Sequence, residues 1–238
     1  MTIPLIIGHR GASAVAPENT MAAFREAIAA GADGIEFDVR LTRDAIPVII
    51  HDSTLRRTAG LPHRIGDLTL PELESLNVGV PSLEQLFTLF ESNNLFLHLE
   101  MKCDAPSQRA PLVEACCRLV NDHSLKQRVI MSCFDHAVLE IVKNIDSEIK
   151  TAALFEPAIS KPSVWLDQRI IDQATAVGAS ALALHHRLAR KQLIEKAKIA
   201  GLGVAVWTVD DPAWIEQARL IGVDALITNN PAAMLAHR

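Results

Sequence analysis

No apolar stretch of this 238-residue chain approaches the about 20 residues needed to cross a bilayer. The first residues, MTIPLIIGHRG, carry no basic n-region and turn polar too soon for a signal peptide. Excess positive charge is also missing: the formal net charge is -5, which argues against a general nucleic-acid binder needing a basic face. A small anionic substrate stays compatible, because local charge matters more than the total. The four cysteines, Cys103, Cys116, Cys117 and Cys133, form no CxxC pair and have no matching histidine pair, so no zinc motif is present. Free thiols fit a reducing compartment. These absences predict a soluble, cytoplasmic protein with no stable membrane association and no nucleic-acid partner. Linkers, low-complexity tracts and composition shifts are absent too, so one domain over 1–238 is expected.

What the chain does contain is a repeated alternation of extended and helical patterns. IPLIIGH precedes the helical NTMAAFREAIAAG. GIEFDVRLT and AIPVIIHD both read as extended. LFLHLEMK, RVIMSCF, IKTAALF, ALALHH, GVAVWTV and ALIT then alternate with amphipathic stretches. With AIPVIIHD treated as an extension of the second strand, eight βα units remain. Their strands are apolar almost throughout, as in a parallel sheet covered on both faces. Helices stop at Gly31, Gly178, Gly201 and Gly222, where a left-handed cap is expected. The reading is α/β, a (β/α)₈ TIM barrel, with a doubly wound open sheet as the rival. The segment 53–80 is too long for a simple connection and predicts a small excursion over one barrel face.

Polar residues fall at the strand ends, where such a barrel carries its chemistry. His9 and Arg10 end the first strand, and His51 and Asp52 end AIPVIIHD. In GIEFDVRL, Glu36 and Asp38 are two apart and share a face. In LFLHLEMK, His98, Glu100 and Lys102 do the same. Three carboxylates converging on one mouth repel one another and raise each other's pKa values. Two arrangements would relieve this. Lys102, Arg10 and Arg40 could form a structural salt-bridge cluster, or the carboxylates could hold a hard divalent cation such as Mg²⁺ or Ca²⁺. Spacing leaves both open.

The run HRGASAVAPENTMAAFREAIAAGADGIEFDVRLTRDAIPVIIHD resembles the glycerophosphodiester phosphodiesterase family, of the bacterial cytoplasmic type, through HRG, PENT, E-x-D and HD in that order. LEMK, SCF and VAVWTV extend the resemblance almost to the end of the chain. It implies a TIM barrel with a small insertion after HD. It implies a metal-dependent hydrolase that releases sn-glycerol 3-phosphate and an alcohol from small phosphodiesters such as glycerophosphocholine or glycerophosphoethanolamine. By the same resemblance, Glu36, Asp38 and Glu100 bind one divalent cation, Mg²⁺ or Ca²⁺. His9 and His51 act as general acid and base, and Arg10 and Lys102 contact phosphate. Phe134 and Trp207 are placed where they line the pocket, with core packing as the bland reading for Phe134.

Other polar residues in these motifs receive structural readings. His98 lies a pleat deeper and is expected to pack in the core, Glu18 to hold the first loop, and Asn19 or Thr20 to cap the first helix. No catalytic role is given to His185 or His186. Arg56, Asp210 and Asn229 depart from what the resemblance leads one to expect, since Asp, Asn and Asp are common there; these departures bear on headgroup preference. A lysophospholipid substrate is the alternative, but the insertion offers scattered Leu and Ile and no aromatic residue for an apolar ramp. A non-catalytic barrel that only binds ligands should have lost at least one of His9, His51, Glu36, Asp38 or Glu100, and all are present.

Overall fold

Strands that are apolar on both faces need cover on both, and here they become the staves of a closed barrel. The computed structural model describes residues 3–91, 93–157 and 164–238. Its strands are β1 (Leu5–His9), β2 (Gly34–Leu41), β3 (Pro47–Ile49), β4 (Phe96–Met101), β5 (Val129–Cys133), β6 (Lys150–Phe155), β7 (Ala181–His185), β8 (Gly203–Trp207) and β9 (Ala225–Thr228). Eight of them pair in parallel around the ring β1-β9-β8-β7-β6-β5-β4-β2. Strand β1 closes that ring by pairing with β9 (Leu5↔Ala225) and with β2 (Ile7↔Gly34). An open sheet would leave β1 or β2 at an edge, so the doubly wound alternative is excluded. The fold is a TIM barrel.

Outward-facing Ile35, Phe37 and Val39 of β2 join the main core with Phe24 of α1 (Met21–Ala29) and Phe87 and Phe90 of α4 (Leu83–Phe90), all fully buried. Phe24 meets Phe37 edge-on at 6.2 Å between ring centroids. Each such side chain contributes about 1.5–3 kcal/mol through burial, so this outer layer fixes where the strands, and hence the inward side chains, stand. The four glycines expected to end helices do so with φ between 64° and 84°.

Of AIPVIIHD, only Pro47–Ile49 joins the sheet, as the antiparallel arm β3 against β2 (Val39↔Ile49). The arm carries His51 back over the mouth, where the Arg40 guanidinium donates to the His51 carbonyl at 2.8 Å. The excursion that follows holds α2 (Arg56–Ala59), a 3₁₀ turn (Ile65–Asp67) and α3 (Leu70–Ser75). Thr69 and Glu72 form a capping box at the start of α3. Val48, Ile50, Leu55, Ile65 and Leu73 form a small core of its own beneath the excursion.

Candidate active site

Strand register assembles the site. His9 pairs with Glu36 across β1 and β2, and Glu36 with His98 across β2 and β4. One pleat further, Asp38 pairs with Glu100, and Glu100 with Ser132 of β5. Because inward side chains repeat every second residue, these two rows point into the mouth. A cavity of about 160 Å³ opens there, lined by His9, Arg10, Glu36, His51, Glu100, Lys102, Phe134 and Trp207 among others.

The β1 end turns sharply. Arg10 has φ 53° and Gly11 φ 84°. A Cβ on Gly11 would stand 2.6 Å from the Ala23 carbonyl carbon, so glycine is required for space as well as for dihedral. The left-handed Arg10 turns its backbone N–H onto Glu36 Oε2 at 3.0 Å. Its guanidinium reaches Asp38 Oδ2 at 3.1 Å and donates to Glu18 at 2.9 Å. Asn19, also left-handed at φ 56°, donates from Nδ2 to Asp38 Oδ2 at 2.8 Å. Thr20 is the helix cap, accepting from the Ala23 N–H. Asn19 therefore belongs to the carboxylate cluster rather than to the cap.

Oxygens of Glu36, Asp38 and Glu100 lie within 4.8 Å of one another, and all three residues are buried. They face two cations. Lys102 Nζ sits 3.1 Å from Asp38 Oδ1 and contacts Glu100, and Arg10 pairs with Asp38. Arg40, the third candidate counter-charge, turns instead to the His51 carbonyl and Asp104. Burial, then Asp38 and Glu100, push the Glu36 carboxyl well above the usual range. Burial and Asp38 push Glu100 up to about 7 against the pull of Lys102. Burial opposes ionisation of Asp38 as well, but Lys102 and Arg10 outweigh it and hold that carboxyl low. Lys102 is thus shared between Asp38 Oδ1 and Glu100 Oε1, one ammonium serving two carboxylates. Three hard carboxylate donors crowded against two cations, with burial and mutual repulsion pushing two of them toward protonation, fit a divalent cation.

Both histidines have their Nδ1 atoms engaged. His9 Nδ1 meets Asn229 Oδ1 at 2.7 Å, while its Nε2 lies 3.9 Å from Glu36. His51 Nδ1 meets Asp52 Oδ1 at 2.7 Å. Burial pushes both imidazoles below the ordinary value. Arg10 adds to this at His9, whereas Asp38 and Asp52 oppose it at His51. Arg57, from the excursion, grips Asp52 through Nε at 2.7 Å and Glu18 through both terminal nitrogens at 2.7 and 2.8 Å. The hydrogen bond from Arg57 holds Asp52 down at about 2.

Phe134 and Trp207 form one wall, edge-to-face at 5.7 Å, with Lys102 Nζ 5.7 Å from the Phe134 ring centroid. Trp207 Nε1 donates to the Ala183 carbonyl at 3.1 Å, which leaves the indole edge-on to Phe134 and to His185. Buried His98 contacts Ser132 Oγ at 2.9 Å, as the core reading expects, although it also lines the cavity. Glu156 lines the cavity too, with no motif to mark it.

Residues 9–233 match the Glycerophosphoryl diester phosphodiesterase family. A glycerophosphodiester phosphodiesterase of Caldanaerobacter subterraneus is 32% identical, over 97% of this chain and 96% of its own length. A phosphodiesterase of Oleispira antarctica, solved in complex with the product sn-glycerol-3-phosphate, superposes with a TM-score of 0.85 at 26% identity. That match covers 99% of this chain and 96% of the other. The glycerophosphodiester phosphodiesterase of Thermotoga maritima gives 0.82 at 26% identity, with both chains fully covered. With the barrel, the ordered motifs and these relatives in agreement, the chain belongs to the glycerophosphoryl diester phosphodiesterase family and is an enzyme of that kind.

Proposed function

We propose that the chain hydrolyses glycerophosphodiesters of small alcohols, such as glycerophosphocholine and glycerophosphoethanolamine, releasing sn-glycerol 3-phosphate. Glu36, Asp38 and Glu100 hold one divalent cation, Mg²⁺ or Ca²⁺. The observation that carries this reading is a cluster of three buried carboxylates, two of which, Glu36 and Glu100, line one cavity with His9, His51, Arg10 and Lys102.

When bound, the cation adds positive charge where negative charge builds on the phosphoryl oxygens. Arg10 and Lys102 bring fixed positive charge to the same place, worth several kcal/mol once preorganised in a site sheltered from water. The two imidazoles exchange protons through the ring nitrogen that faces the cavity, one removing a proton from the nucleophile and the other supplying one to the leaving alcohol. Asn229 and Asp52 orient those rings from behind. Phe134 and Trp207 present an apolar wall to the glycerol or leaving-group carbons. The Leu and Ile side chains of the excursion do not favour a lysophospholipid substrate. Leu55, Ile65 and Leu73 are buried in its own core and offer no acyl ramp.

Release of glycerol 3-phosphate from glycerophosphocholine, measured with EDTA and then with Mg²⁺ or Ca²⁺ added back, tests the reading. His9→Ala and His51→Ala are each expected to lose about 100-fold or more in turnover while staying folded. Near wild-type activity in either variant removes that histidine from the mechanism. Undiminished activity in EDTA, with no tightly held metal, removes the cation.

A further inference from the structure

Asp210 and Asn229 face each other behind His9. Asp210 follows β8, Asn229 follows β9, and His9 ends β1, so the contact runs across three neighbouring strand ends. Asp210 Oδ1 accepts from Thr228 Oγ1 at 2.9 Å and from the Asn229 backbone N–H at 2.7 Å. Its Oδ2 accepts from Asn229 Nδ2 at 2.7 Å. Asn229 Oδ1 then meets His9 Nδ1 at 2.7 Å and accepts from Ser13 Oγ at 2.9 Å.

The direction of every bond in this chain follows from its first member. A carboxylate accepts and cannot donate, so all three partners of Asp210 are donors. The amide nitrogen of Asn229 therefore faces Asp210, and its oxygen faces His9. An amide oxygen only accepts, so His9 Nδ1 carries the hydrogen, and the lone pair of the neutral ring is on Nε2, at the cavity. We infer that Asp210 and Asn229 are a coupled pair of positioning residues that lock His9 in the Nδ1–H tautomer. His51 receives the same tautomer from Asp52 directly. At His9 a neutral amide intervenes, and the carboxylate that sets the direction stands one residue further back.

This inference rests on His9 being a proton-transfer group, and it specifies how the pair answers substitution. In Asp210→Asn the new amide keeps its oxygen on Thr228 and the Asn229 backbone N–H, and turns its nitrogen toward the Asn229 side chain. Asn229 must then rotate its oxygen to meet that nitrogen. Its own nitrogen turns to His9 and forces the Nε2–H tautomer. In Asn229→Asp two carboxylates meet at hydrogen-bond distance and repel. In the double exchange, Asp210→Asn with Asn229→Asp, every donor again finds an acceptor. The new carboxylate takes the His9 and Ser13 bonds with one oxygen, and with the other it accepts from the new amide.

The test combines kinetics with long-range ¹⁵N–¹H correlation NMR of the histidine rings at about pH 8, above the ordinary imidazole range. Each single variant is expected to lose about 100-fold in kcat, the scale of one misdirected proton transfer, with KM little changed. The double variant recovers most of that loss. The wild type and the double variant show Nδ1–H at His9, and Asp210→Asn shows Nε2–H. An Nε2–H tautomer in the wild type overturns the inference, and so does a folded double variant as slow as the singles. The tautomer measurement needs no substrate, so it decides the inference separately from the phosphodiesterase reading.

Discussion

Arg57 is 48% exposed, yet it joins the two loops that hold the mouth together. Its guanidinium takes both oxygens of Glu18, from the PENT loop, and both of Asp52, from the HD arm. Exposed ion pairs contribute about 0.2–1 kcal/mol each, so Arg57→Ala should destabilise the fold by only about 1–2 kcal/mol. In a chain of this size that lowers the melting temperature by a few degrees. Turnover should suffer more. Asp52 without Arg57 is free to rotate, and the His51 ring, held only through Nδ1, goes with it. Misplacement of a reacting group by about 1 Å costs about 100-fold. Charge does not explain this loss: Asp52 is held at about 2, and a return to the ordinary carboxylate value leaves it ionised at neutral pH. The pH–rate profile should therefore keep its shape while its height falls. Arg57→Lys should recover little, because one ammonium cannot fork across two carboxylates. Steady-state kinetics with thermal melts checks both numbers. A variant that loses stability but keeps wild-type kcat refutes the positioning argument.

His98 is pushed down to about 4 by burial, from an ordinary 6.5. A depressed pKa contributes stability above 6.5 that is lost as pH falls toward 4, here about 3 kcal/mol in all. His98→Gln should flatten that acid limb in urea titrations between about pH 7 and pH 4, and an unchanged limb argues against it. Glu100 behaves oppositely. Raised to about 7, it favours the metal-free fold at low pH and withdraws that stability as pH rises through about 7. His98 opposes this trend in the same window, so the melts are made on His98→Gln: in EDTA they should fall from about pH 5 to pH 8, and added Mg²⁺ or Ca²⁺ should reverse the trend; a metal effect independent of pH contradicts it. Phe134 is 41% exposed, so Phe134→Ala should cost under about 1 kcal/mol in stability and appear as a raised KM. An unaltered KM for glycerophosphocholine places the ring outside the substrate's reach.

Periodicity and register made much of this legible. Glu36 with Asp38, and His98 with Glu100, stand two apart on strands, and period two alone places each pair on one face. What escaped depends on contacts between segments distant in sequence. Asn19 satisfied the local rule for a helix cap. Its left-handed backbone instead delivers the amide to Asp38, and Thr20 takes the cap. Arg57 carried no signal in the sequence, because nothing in TLRRT shows that the excursion folds back onto Glu18. Asp210 and Asn229, nearly twenty positions apart, read separately as marks of headgroup preference. Only the β8–β9–β1 adjacency shows that they face one another and His9.

The unfavourable features of the site share one location and one kind of support. Arg10 and Asn19 occupy left-handed backbone, which costs each of them about 1 kcal/mol, and three carboxylates are buried against two cations. All of them hang on β1, β2, β4 and the loops between. Those strands are the ones whose outward faces carry Ile6, Ile35, Phe37, Leu97 and Leu99, fully buried in the main core. An inward residue cannot relax without moving its outward neighbours, since the two alternate along one backbone. The strain is therefore held by the outer core, and the charge is left to be neutralised from the cavity side. Under the proposed function a divalent cation and an anionic phosphodiester together would do this: the cation would answer the excess of carboxylate, and the phosphate would answer Arg10 and Lys102. On that reading, the same packing that holds the carboxylates at this cost would make the site selective for that pair of ligands.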